Sequence, residues 1–106
     1  MAMRIVVPLA AVLLSGCAIQ SKALELPQVA ARYDSGKTAR EFAECAAEGM
    51  GRRLESEGNR YVIKHINGAR VQARWDFLAT LDGSQAELRA SPSYDAGVEI
   101  VQACAE

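Results

Sequence analysis

Three thiols, one imidazole and a scatter of carboxylates are the groups in this 106-residue chain with chemistry to offer. The thiols are Cys17, Cys45 and Cys104, and the single imidazole is His65. Zinc sites draw on closely spaced Cys and His, and the chain has no Cys-x-x-Cys and only one His, so no metal is expected. There is no Gly-x-Ser-x-Gly nucleophile elbow and no phosphate-cradling glycine loop. The dispersed Asp and Glu define no acid–base pair, so no catalytic residue and no cofactor is assigned. Cys17 has a more specific setting. Arg4 supplies a positive start, Ile5 to Leu14 is apolar, and Ser15-Gly16 put small residues before the thiol, which are the parts of an export signal. The apolar run falls far short of the ~18–20 residues that span a bilayer and is interrupted by Pro8, so it predicts a cleaved leader, residues 1–16, rather than a membrane helix.

Leu14-Ser15-Gly16-Cys17 resembles the lipobox of a bacterial lipoprotein precursor, and the chain is similar in plan to small lipoproteins of Gram-negative bacteria. The resemblance implies that Cys17 is acylated on sulfur and becomes the mature N-terminus. Each buried methylene adds about 0.8 kcal/mol, so two or three acyl chains anchor firmly where one does not. Ala18, rather than Asp, follows the cysteine and implies the outer membrane, with the domain facing the periplasm. With Cys17 given to lipid, Cys45 and Cys104 are left as one disulfide pair in a compartment that permits oxidation. The loop they close, about sixty residues, corresponds to roughly 4 kcal/mol of chain entropy. Loss of Arg4 with the leader leaves 11 Lys+Arg against 13 acids, starting from 12 and 13. Nucleic-acid binding normally needs a basic excess, so nucleic acid is not an expected partner.

The elements that must carry these groups begin after residues 17–37, which mix Gln, Ser, Lys, Pro27 and Asp34-Ser35-Gly36 and read as a lipidated anchor and flexible tether, with room for a short helix at 28–33. A globular domain is expected over residues 38–106. Thr38-Ala39-Arg40-Glu41 has capping-box spacing and predicts a helix start. Phe42, Ala43, Ala46, Ala47, Met50 and Leu54 then recur at helical period, with Gly58 as the expected stop and Gly49 and Gly51 as points of close approach. From Asn59 to Ala90 the period changes to two, and Asn67-Gly68 and Asp82-Gly83 divide three strands. The expected register pairs Ile63 with Val71 around a bulged loop at Gly68, and Trp75 with Ala90 around a two-residue turn at Asp82-Gly83. Val98, Val101 and Cys104 mark a closing helix over residues 95–105. The predicted fold is α+β, ordered α-β-β-β-α, with two disulfide-joined helices on one face of a three-stranded antiparallel meander.

One sheet face gathers Tyr61, Ile63, Val71, Ala73, Trp75, Phe77, Ala79, Leu81, Ala86, Leu88 and Ala90 as core. The other carries Arg60, Lys64, Arg70, Arg74 and Arg89, relieved by Asp76 and Glu87, and is the candidate partner-binding face. A polar face is also what any half-buried sheet turns to water. Two functions are consistent with this chain. One is a membrane-anchored, non-catalytic binding or accessory protein whose partner is an envelope protein or a cell-wall component. The other is a small periplasmic hydrolase or ligand-binding protein with a pocket near His65.

Overall fold

Thr38 and Glu41 close a capping box: the Thr38 hydroxyl accepts from the Glu41 amide at 3.1 Å, and the Glu41 carboxylate accepts from the Thr38 amide at 3.1 Å. In the computed structural model, which describes residues 28–106, this cap starts helix α1 (Ala39–Met50). The helix stops at Gly51 rather than at the expected Gly58. Gly51 sits in the left-handed region at φ 67° and ψ 36°, its amide reaches the Ala47 and Glu48 carbonyls, and the Arg52 amide also donates to Ala47. Left-handed backbone favours glycine, so this cap overrides the helical spacing of Leu54 and Glu55. Of Gly49 and Gly51, Gly49 alone serves close approach, because a Cβ there would lie 2.7 Å from Ile100 Cγ2 and one at Gly51 would meet nothing.

Residues freed from the helix form a strand. The sheet contains β1 (Ala31–Ser35), β2 (Glu55–Glu57), β3 (Arg60–Asn67), β4 (Arg70–Thr80) and β5 (Gly83–Ala90), in the spatial order β1-β5-β4-β3-β2 and antiparallel throughout. The expected meander is its centre, β3-β4-β5, and the two outer strands are additions that the sequence reading missed. β1 lies where a tether or short helix was expected. Its alternation puts Ala31 and Tyr33 against the core and leaves Arg32 and Asp34 exposed. The expected leader and lipobox, with Cys17, lie outside the described residues.

Both expected registers are displaced. Trp75 faces Leu88 rather than Ala90, because Leu81 and Asp82 form the turn and Gly83 already pairs with Thr80. Gly83 is required there: a Cβ would overlap the Ser35 carbonyl oxygen, where the end of β1 crosses. Ile63 faces Trp75 rather than Val71, and the bulge lies within the ladder, where His65 pairs with Ala73 but Ile66 with Val71, leaving Gln72 as the extra residue. Strand side chains alternate with period two, so displacements of two and four residues leave Tyr61, Ile63, Ala73, Trp75, Phe77, Ala86 and Leu88 on their predicted face. Val71, by contrast, lies out of phase beyond the bulge, and Leu81 falls in the turn, fully exposed.

Helix α2 (Val98–Ala105) is shorter than expected at its start, where Tyr94 to Gly97 runs as a loop. That loop earns its conformation by satisfying the core: the Trp75 indole N–H donates to the Ala96 carbonyl at 2.8 Å. Both helices cover one sheet face. Phe42 meets Phe77 edge-on at 5.1 Å, and Trp75 and Phe77 lie 6.2 Å apart. Trp75, Phe42, Phe77, Ile63 and Val101 are fully buried. Cys45 of α1 and Cys104 of α2 are joined across the helix contact, with their Cα atoms 5.9 Å apart.

Candidate functional site

The sheet face away from the helices is an ion lattice with a buried centre. Asp76, in mid-β4, is fully buried on this side, next to the equally buried Val62 of β3. Arg60 Nη1 donates to Asp76 Oδ2 at 2.8 Å, and Arg74 donates from Nε to Oδ1 at 2.7 Å and from Nη2 to Oδ2 at 3.0 Å. Arg89 Nη1 stands 3.9 Å from Oδ1. Burial alone would raise the Asp76 pKa, but the hydrogen bonds from Arg74 and Arg60 outweigh it and hold the carboxylate below its ordinary range. The same contacts raise the Arg74 pKa.

The lattice spreads to both sheet edges. Glu57 of β2 accepts from Arg74 at 2.9 Å and lies 3.2 Å from Lys64, while Arg32 of β1 reaches Glu87 at 3.4 Å. Lys64 is also 3.8 Å from Glu55. Of the five predicted basic residues, Arg60, Lys64, Arg74 and Arg89 therefore do share one surface. Arg70 does not. It lies beyond the bulge at Gln72, opposite Asn67, and one extra residue puts it out of phase with Arg74.

The predicted positive character is lost as well. Arg32, Arg60, Lys64, Arg74 and Arg89 are matched by Asp34, Glu55, Glu57, Asp76 and Glu87 once β1 and β2 join the sheet. Such a surface fixes side-chain positions and offers hydrogen-bonding groups of both signs, with little net field to steer a charged partner.

His65 lies on the opposite side, beneath the loop before α2. Only 4 % of it is exposed, Nδ1 is 3.1 Å from the Tyr94 hydroxyl, and the rings meet edge to face at 5.5 Å. Its Nε2 is buried without a hydrogen-bond partner among the described residues. Burial, helped by the charge of Arg52, lowers the His65 pKa from 6.5 against the opposing pull of Asp95. A concavity nearby, at the start of α2, is lined by Asp95, Gly97, Val98, Glu99 and Ile100, so His65 is not part of its wall.

The neutral ring is preferred in the fold, so the unfolded chain takes up its proton first. Stability should be full above about pH 6.5 and should decline below that value until the folded ring itself protonates. Urea midpoints measured from pH 7.5 to 5 should fall in the native chain and flatten in His65→Gln. Equal slopes would refute this assignment.

Sequence reasoning missed Glu55 and Glu57 because they were placed on α1, and missed Arg32 and Asp34 because β1 contains a single large apolar residue, Tyr33. Strict alternation in Ala31 to Ser35 was the available signal. No protein-family model, curated protein or solved structure matches this chain.

Proposed function

We propose that this protein is a lipid-anchored envelope protein, held at the outer membrane through acylated Cys17, whose domain is a non-catalytic binding or accessory module. The observation that supports it most is the Cys45–Cys104 disulfide. A structural disulfide suits an exported protein, and this pairing leaves Cys17, the lipobox cysteine, as the remaining thiol. The surface offered to a partner is the ion lattice around Asp76, whose arginines lie across the sheet rather than extending into solvent. Side chains already held in place lose less freedom on binding. The partner class is an envelope protein or a wall component with alternating donors and acceptors. The hydrolase reading gains no support from His65, which is buried and turned toward Tyr94.

Cys17→Ser is expected to abolish incorporation of labelled fatty acid and leave the leader uncleaved, and unaltered labelling would reject the anchor. For the binding surface, a photo-crosslinking residue at Gln85, on the lattice side, should give partner adducts in native membranes. Adducts obtained only from Glu48, on the outer helix layer, would reassign the contact.

A further inference from the structure

The two ends of the sheet differ in their capacity to pair with themselves. β1 and β2 each hydrogen-bond to one neighbour, so each presents an edge that is open among the described residues. In an antiparallel self-pair, residues directly opposite must point to the same face, so the two-fold axis passes through a residue rather than between two. For β1 the register that engages all five residues centres on Tyr33. It sets Arg32 against Asp34 of the second copy and Asp34 against Arg32 of the second copy, with Ala31 opposite Ser35 at both ends. For β2 the equivalent axis passes through Ser56 and sets Glu55 against Glu57, like against like, twice. A mixed β1-to-β2 pairing that faces Arg32 with one glutamate faces Asp34 with the other. Among pairings that engage both charged residues of each strand, only β1 with β1 is free of repulsion.

We infer that the β1 edge is a self-association surface, and that a second copy of this chain pairs with it antiparallel through Ala31–Ser35 to give a continuous ten-stranded sheet. Charges on an edge strand block pairing when the opposing charge has the same sign; here the order Arg-Tyr-Asp makes the strand its own complement. The edge is also held ready. Ser35 Oγ donates to the Ala105 carbonyl at 2.9 Å, Lys37 Nζ to the Cys104 carbonyl at 2.7 Å, and Ser84 Oγ to the Lys37 carbonyl at 2.7 Å, which fixes the end of β1 to α2 and β5. Arg32 and Asp34 remain exposed, with Arg32 57 % accessible despite its contact with Glu87. The axis stands perpendicular to the sheet, so both helix layers fall on one side and both ion lattices on the other. The dimer doubles the lattice surface, and its contact is isologous and self-limiting. The inference does not depend on the lipid anchor.

Sedimentation equilibrium of the full chain in excess detergent should show a reversible, concentration-dependent dimer. Asp34→Arg should weaken it about tenfold or more, because each of the two symmetric ion pairs becomes a repulsion. The exchange Arg32→Asp with Asp34→Arg restores complementarity and should return association to within about threefold of the native chain. Ser56→Arg, at the other edge, should leave it unchanged. Hydrogen exchange on the native chain reads the same contact without a variant: protection at amides of Ala31–Ser35 should rise with protein concentration. A chain that stays monomeric, a dimer that survives Asp34→Arg, a double exchange that stays monomeric, or amides protected equally at every dilution would each overturn the proposal.

Discussion

Asp76→Asn is expected to lower the unfolding free energy by about 2–4 kcal/mol, read as a shift of the urea midpoint at constant slope. The asparagine is nearly isosteric, so the loss is electrostatic. Asp76 is fully buried, and its two oxygens take three arginine hydrogen bonds. Removing the charge leaves guanidiniums crowded around a neutral amide whose NH2 group cannot accept from them. The cost stays below that of a wholly buried pair because the Arg60 and Arg74 side chains are 34 % and 27 % exposed and can turn toward water. Glu87→Gln is the contrast. Its partners lie at 3.4 and 3.9 Å near the surface, so it should cost less than about 1 kcal/mol. Acid should act in the same order. The folded Asp76 pKa lies below its unfolded value, so its contribution is present above the ordinary carboxylate pKa of 3.8 and is lost as pH falls through the lower folded value. In Asp76→Asn that final acid step should disappear while the His65 step at higher pH persists. Equal midpoints for native chain and variant would show that the arginines, not Asp76, set the stability of this face.

Asp76 also shows what a one-dimensional reading can and cannot reach. Its face was legible because alternation survives any even displacement, and the true registers differ from the expected ones by two and four residues. Its burial was not, because that depends on which arginines lie across it, and register decides that. Thr38 and Glu41 were readable because a capping box is complete within four consecutive residues. Gly51 and Gly58 both carry positive φ, but helical spacing points to Gly58 alone as the stop, and the choice of Gly51 rests on where residues 52–57 can dock. They dock as β2 on β3, with Glu55 opposite Val62. The outer strands were the hardest to see, since an edge strand is short and has few apolar residues, and its stability comes from the neighbour it completes. Arg70 was lost to a bulge, because the extra residue at Gln72 puts the side chains on its two sides out of phase. The disulfide followed from cysteine arithmetic once Cys17 was assigned, and its geometry agrees with the helix-to-helix contact foreseen for it.

Cys45→Ala with Cys104→Ala is expected to cost about 2–4 kcal/mol, and for a domain of this size at least about 8 °C in Tm. The bridge spans 59 residues of sequence and encloses β2 to β5, so most of its effect comes from restricting the unfolded chain. Alanine is preferred to serine because Cys104 is 6 % exposed and a hydroxyl there would be buried. The loss should not be uniform. α2 has only eight residues and no side-chain N-cap, and it is held by Val101, by Ile100 against Gly49, and by the bridge. Hydrogen exchange should therefore accelerate in α2 and at the Ala96 loop well before β4 or β5. The same loosening reaches β1, whose end is tied to the Cys104 and Ala105 carbonyls through Lys37 and Ser35. Reduction of the native chain should reproduce both effects without any substitution. If the reduced chain kept its Tm and its α2 protection, the helices would be held by apolar contact alone.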